Sequence, residues 1–153
     1  TALFPALSQW LYSPQHTCVL QFCELTNHIG AGASFATVRD AAITYCNTVR
    51  AAGWKLAFHI PTPRAERATP GYAGSASAWQ VGQLATYDSA CNYFRGRPLG
   101  ELWDFPPLDL AAVPALANPY DLANYQADGC HKTAAGISAK LAAVAAYTAS
   151  LTL

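Results

Sequence analysis

The sequence predicts a single α/β domain over residues 1–153, with a parallel sheet between two layers of helices. Short apolar runs rich in strand-forming residues alternate with segments of helical periodicity, which is typical of parallel strands joined by crossover helices. The composition agrees, because 52% hydrophobic and 12% charged residues in a chain of 153 are enough to bury one core. The predicted order is helix, strand, helix, strand, helix, strand, loop and helix.

The first half of the chain contains the two clearest strands and the most regular helix. The run CVLQFCE at residues 18–24 is almost continuously apolar, which suits a strand buried on both faces. A helix is predicted from Ser34, a favourable N-cap, to Gly53, with apolar residues three or four positions apart between them. The run WKLAFHI at residues 54–60 is the second predicted strand.

The second half is interrupted by proline and glycine. After an irregular loop at residues 61–77, we predict a helix over residues 78–96 and a third strand, ELWDF, at residues 101–105. A proline-interrupted connection leads to a final helix over residues 136–153. One apolar stripe predicts that this helix packs on the core, and it consists of Ile137, Leu141, Val144, Tyr147 or Thr148, and Leu151.

Charge and hydropathy exclude some classes of partner. Nine basic and nine acidic residues give a formal charge of zero, and no Lys/Arg run occurs, so neither nucleic acid nor an anionic membrane is an expected partner. No window approaches about 18 uninterrupted apolar residues, so no membrane span is expected. The chain begins at Thr1 without a signal peptide, which together with its low lysine content favours a processed, extracellular or particle-associated protein.

Five candidate site residues lie where strands end or just before the last helix. Asn27 and His28 follow the first strand, and His59 ends the second. Asp128 and His131 lie in the segment DGCHKTAAG, three positions apart. Functional residues of parallel sheets gather beyond the carboxyl ends of the strands, so we expect these side chains to share one rim. A carboxylate beside a histidine fixes its tautomer and stabilises the imidazolium, which is the arrangement of an acid/base pair.

Two other interpretations of these residues are open. In the first, Asp128 only caps the N-terminus of the last helix, and His131 is a histidine that happens to lie near it. Alternatively, a divalent metal would be held by His28, His59, His131, Asp128 and Glu24, although no HExxH or comparable spacing supports such a site.

Three segments resemble those of the SGNH (GDSL-like) hydrolases, a family of serine esterases. CVLQFCELTNHIGAG resembles the strand and turn of the family's Gly-x-Asn-Asp block, with Asn27 at its Asn. VRAAGWKLAFHIPTPR resembles the following helix end, strand and proline-rich turn, and DGCHKTAAG resembles the terminal Asp-x-x-His block. The resemblance covers nearly all of the chain and implies a three-layer α/β/α sandwich of the flavodoxin-like type.

The resemblance also implies roles for the candidate residues. His131 would be the general base, Asp128 its orienting carboxylate, and Asn27 an amide donor to the oxyanion of a tetrahedral intermediate. Their place at the strand ends, rather than the resemblance, leaves two interpretations of His28 and His59: contact with substrate, or a role in packing or at the solvent-exposed surface. The implied reaction is hydrolysis of an acyl ester, such as an O-acetyl group on a sugar, by a serine nucleophile without a metal or an organic cofactor.

The chain departs from the family's pattern at the nucleophile. Leu25 and His28 replace the Gly and the Asp of the Gly-x-Asn-Asp block, and the Gly-Asp-Ser-Leu-like block that carries the serine is absent. The family's order places that block ahead of this chain's first strand. We therefore expect the fold to be incomplete by itself, with a companion N-terminal polypeptide that completes the sheet and supplies the serine.

Residues within the chain offer poor substitutes for that serine. Ser75 and Ser77 follow no predicted strand, so they do not form the strand–turn–helix elbow of an α/β-hydrolase. Cys130, adjacent to His131, is interpreted as a structural thiol. The alternative function is a non-catalytic binding or structural module that kept the fold and lost the serine.

Overall fold

A computed structural model describes residues 16–23, 25–67 and 78–152. The helix predicted at the start of the chain, Glu24, Ser75 and Ser77 lie outside the described residues. Among the described residues, no helix has the length and apolar character needed to span a membrane.

The sheet has three parallel strands, β1 (Val19–Phe22), β2 (Lys55–Ile60) and β3 (Leu108–Asp109), in that spatial order. In the register, Val19 lies opposite Lys55, and His59 lies opposite Leu108. The predicted α/β class with a parallel sheet is therefore confirmed. Within the described part of the chain, β1 pairs with β2 on one side and with no strand on the other.

Five α-helices accompany the sheet: α1 (Thr26–Gly30), α2 (Phe35–Ala51), α3 (Gln83–Arg95), α4 (Pro114–Ala117) and α5 (Ala134–Ser150). A 3₁₀ turn at Leu110–Ala112 precedes α4. The prediction that Ser34 caps α2 is confirmed, because its hydroxyl oxygen accepts the Thr37 backbone N–H at 3.2 Å.

The core lies between the sheet and helices α2 and α3. Successive side chains of a strand point to opposite faces, and Leu56, Phe58 and Ile60 of β2 all belong to this core. Phe58 stacks on Trp103 with ring centroids 5.0 Å apart. His59, of the opposite parity, instead meets the edge of Tyr147 on α5.

The prediction of a strand at residues 101–105 is wrong. This segment forms turns and bends, and the third strand begins three residues after it. The Asp104 carboxylate accepts the Leu56 N–H at 2.8 Å, and the Asp104 N–H donates to the Leu56 carbonyl at 2.9 Å. Asp104 thus satisfies the backbone hydrogen-bonding groups of Leu56 with both its side chain and its backbone, so no strand ladder forms there. Asp104 also pairs with Arg50 and Lys55 at 3.6 and 3.7 Å.

The apolar stripe predicted for the last helix does not pack on the core. Ile137 and Leu141 are 49% and 63% exposed, and the only residue that α5 buries in the described structure is Gly136. The half-buried face of α5 passes instead through Ala139, Ala143 and Val144 to Tyr147. The predicted stripe is therefore half-buried at Val144 and Tyr147 and exposed at Ile137 and Leu141.

Candidate functional site

The carboxyl ends of β1 and β2 open into a cavity of about 290 Å³. The segments that follow these strands line one side of it, and the segment before α5 together with α5 itself lines the other. Its polar lining side chains are Thr26, Thr62, Arg64, His131, Lys132 and Lys140. The cavity therefore lies where functional groups of a parallel sheet are expected to gather.

The loop of residues 121–133 carries Asp128 and His131 on a short antiparallel turn. The Gln126 N–H donates to the His131 carbonyl at 2.8 Å, and the Thr133 N–H donates to the Asn124 carbonyl at 3.0 Å. Gly129, with φ of +63°, occupies the left-handed conformation that the turn requires. Its carbonyl accepts the Ala65 N–H at 2.8 Å, which ties the turn to the segment after β2.

The Asp128 carboxylate contacts the His131 ring through Nδ1, as the sequence analysis anticipates for an acid/base pair. Its other oxygen accepts the backbone N–H groups of Cys130 and His131, both at 2.9 Å. Partial burial alone would raise the pKa of Asp128, but the bonds from the His131 ring and from these two amides outweigh it, and the pKa is lowered. The carboxylate is thus held ionised behind the ring.

The imidazole of His131 is accessible. Its side chain is 63% exposed, whereas that of Asp128 is 23% exposed. Asp128 contacts Nδ1 of the ring, so Nε2 is the ring nitrogen on the side away from this carboxylate. That division of the two nitrogens is what a general base requires.

Asn27 is joined to the cavity through Arg64. The guanidinium of Arg64 donates to Asn27 Oδ1 at 2.6 Å and to Thr26 Oγ1 at 3.2 Å. A guanidinium is only a donor, so it selects the oxygen end of the amide and turns the NH₂ end of Asn27 away from itself. An orientation fixed in this way is useful for a group that must donate to a developing charge.

The two other predicted site residues, His28 and His59, do not line this cavity. His28 is exposed and lines a second, apolar cavity of about 250 Å³ with Phe22, Leu25 and Tyr45. His59 is 4% exposed, and its Nε2 has no hydrogen-bond partner within the described residues. Burial, and then the charge of Lys140, lowers the pKa of His59, so this ring is held neutral in the interior.

Sequence analysis missed the basic residues of the cavity. Arg64 follows β2 by four residues, Lys132 follows His131 directly, and Lys140 lies on α5. The rule that places functional residues beyond strand ends applies to Arg64, which lies in the loop that follows β2. No local signal identifies Lys140, whose place at the cavity depends on how α5 packs.

Within the residues that the structure describes, no group of three or more His, Cys, Asp or Glu side chains is arranged to hold a metal ion. No protein-family model, curated protein or solved structure matches the chain.

Proposed function

We propose that this chain is the part of an SGNH-type ester hydrolase that supplies the general base. The observation that carries the proposal is the Asp128–His131 pair, held by two backbone amides at the rim of a cavity beyond parallel strands. His131 Nε2 would take the proton of a serine hydroxyl as that oxygen attacks the ester carbonyl, and would return it to the leaving alkoxide. Asp128 would stabilise the imidazolium formed between these steps.

Asn27 would complete the polar environment of the reaction. Attack on an ester carbonyl places negative charge on the carbonyl oxygen, and an amide N–H preset toward that oxygen stabilises the charge. Arg64 holds Asn27 by the oxygen end of its amide, and the NH₂ end would be the donor to the oxyanion. Removal of one oxyanion donor typically costs about 2.7–4 kcal/mol of transition-state stabilisation.

The serine would come from a companion polypeptide that lies beside β1. No serine lines the cavity in the described part of the chain. The β1 strand has an unpaired edge there, and the apolar cavity of Phe22, Leu25, Val38 and Tyr45 lies next to it. An exposed apolar strand edge favours pairing with another strand. A strand added at this edge would extend the sheet toward the three-layer, flavodoxin-like architecture.

Hydrolysis of p-nitrophenyl acetate by the natively purified protein, together with any polypeptide that copurifies, tests this proposal. Replacement of His131 by Gln should lower kcat by about 10⁴-fold or more, because the general base is lost. His16→Gln is the matched control, since His16 is also exposed and does not line the cavity. Equal rates for the two variants would refute the role of His131.

A second candidate function is a non-catalytic binding module. The observation that favours it is the same absence of a serine from the cavity wall in the described residues. In that case the natively purified protein would show no esterase activity above that of the His131→Gln variant, while it still bound a ligand in the cavity.

A further inference from the structure

The cavity beside Asp128 and His131 is strongly positive, although the chain as a whole is neutral. Arg64, Lys132 and Lys140 line it, and neither Asp nor Glu is among the described residues of its wall. The whole chain has nine basic and nine acidic residues, so a third of its Lys and Arg side chains gather at one opening.

Ion pairing distinguishes these three cations from most of the others in the described chain. In the described residues, none of them lies within ion-pair distance of a carboxylate. The cations elsewhere differ, because ion pairs are formed by Arg39, Arg50, Lys55, Arg95 and Arg97. Asp128, an acid beside the cavity, already binds the His131 ring and two backbone amides.

Two of the three cations are held at the opening by other contacts. Arg64 is fixed by Asn27 and Thr26. The ammonium of Lys132 donates to the Cys130 carbonyl at 3.2 Å and lies 4.0 Å from the centre of the Tyr125 ring. Burial is the main cause that lowers the pKa of Lys132 to about 8; the charges of Lys140 and Arg64 act in the same direction, and those of Cys130 and Asp128 act against it.

We propose that this cavity binds an organic oxyanion, a carboxylate or a sulfate, and that the ester cleaved by the Asp128–His131 pair carries such a group. The identity of the cleaved ester rests on the proposed function, whereas the binding of an oxyanion in the cavity does not. Like charges collected without counter-charges stabilise a ligand of the opposite sign, and arginine and lysine donate charge-assisted hydrogen bonds to its oxygens. A neutral ester would leave the repulsion among the three cations uncompensated.

NMR titration of the isotope-labelled full chain at low salt tests whether the cavity binds an oxyanion. The probes are D-glucuronate, the uncharged D-glucose of similar size, and inorganic sulfate. We expect glucuronate and sulfate to shift resonances of Arg64, His131 and Lys132, and glucose to shift none of them. The effect should weaken as salt is added, because the charges are partly exposed.

Lys140→Gln and its matched control, Lys55→Gln, give the decisive comparison. Lys140 is at the cavity, whereas Lys55 is equally a surface lysine but starts β2 at the opposite end. Lys140→Gln should weaken glucuronate binding by about twofold to fivefold, as expected for one partly exposed charge pair. Lys55→Gln should leave the affinity unchanged. Equal affinities for glucuronate and glucose, or equal effects of the two variants, would overturn the inference.

The outcome separates this inference from the proposed function. Anion binding without any esterase activity would retain the oxyanion site and reject the hydrolase. Esterase activity with no preference for anionic over neutral esters would reject the oxyanion site and retain the hydrolase.

Discussion

Replacing Gly136 by Ala tests how the loop that carries Asp128 and His131 is seated on α5. A β-carbon at this position would lie 2.0 Å from the Asn124 carbonyl oxygen and 3.2 Å from Lys132 Cβ. Real β-carbons essentially never approach a heavy atom within 3.0 Å, so the helix and loop must separate by about 1 Å. The Asn124 carbonyl is backbone and also accepts the Thr133 N–H, so it cannot move without loss of that bond.

The expected net effect is a loss of about 2 kcal/mol in the free energy of unfolding. Overpacking costs about 1–3 kcal/mol, and contact with a backbone atom places this site at the upper end. The better helix propensity of Ala returns about 0.5–1 kcal/mol. For a chain of this size, the loss corresponds to a fall in Tm of about 4–8 °C.

Urea denaturation measures this effect, with Gly96→Ala as the matched control. At Gly96 the added methyl would meet its nearest atom, the Asn92 carbonyl oxygen, at an ordinary 3.4 Å. We expect the control to change stability by less than about 0.5 kcal/mol. Gly136→Ala with a stability equal to or above that of the wild type would refute the close contact between α5 and the loop.

Three further predictions concern pH, thiol reactivity and capping. Because the folded pKa of Asp128 is lowered, its carboxylate stabilises the fold above the unfolded pKa of about 3.9, and this contribution is lost as the pH falls through the folded value. Asp128→Asn should therefore be less stable than the wild type near neutral pH and equally stable in acid, and a pH-independent difference in urea titrations would contradict this. Burial raises the thiol pKa of Cys46 to about 12 and that of Cys91 to about 11, so iodoacetamide should alkylate both only after unfolding. Rapid alkylation of either thiol in the native protein, detected by mass spectrometry, would contradict their burial. Ser34→Ala should lower stability by about 1 kcal/mol in urea, whereas Ser89→Ala, in the interior of α3, should not, and equal losses would argue against the cap.

The part of the fold that local patterns determine could be predicted from the sequence. The strand β2 is almost entirely buried, so its apolar run is unambiguous. Helix α2 has both a regular spacing of buried residues and a serine cap, and both were recognised. These elements need no knowledge of the rest of the chain.

The remainder depends on tertiary contacts. The segment around Asp104 has a strand-like composition, but its carboxylate replaces the ladder that a strand would form with β2. The last helix has an apolar stripe, yet only its C-terminal part is half-buried, and Ile137 and Leu141 remain exposed. A hydrophobic pattern identifies such a helix and leaves undetermined which face lies against the sheet.

In the candidate site too, contacts between residues close in sequence could be predicted, whereas contacts between distant segments could not. Asp128 and His131 are three residues apart, so their contact could be anticipated from spacing, and the structure brings them together. Asn27 and Arg64 are far apart in sequence, and their hydrogen bond depends on the adjacent placement of β1 and β2. The sequence places His59 at the end of the second strand and predicts that it shares the rim, whereas the structure has it as the penultimate, buried residue of β2.

Fluorophosphonate labelling of the natively purified protein tests the central claim most directly. The products would be separated under denaturing conditions, and the labelled residue would be mapped by mass spectrometry. The predicted result is a label on a serine of the companion polypeptide, and this label should be lost when His131 is replaced by Gln. A label on a serine of this chain would contradict the claim that a companion segment supplies the nucleophile. No label at all on folded protein would contradict the hydrolase and leave a binding module.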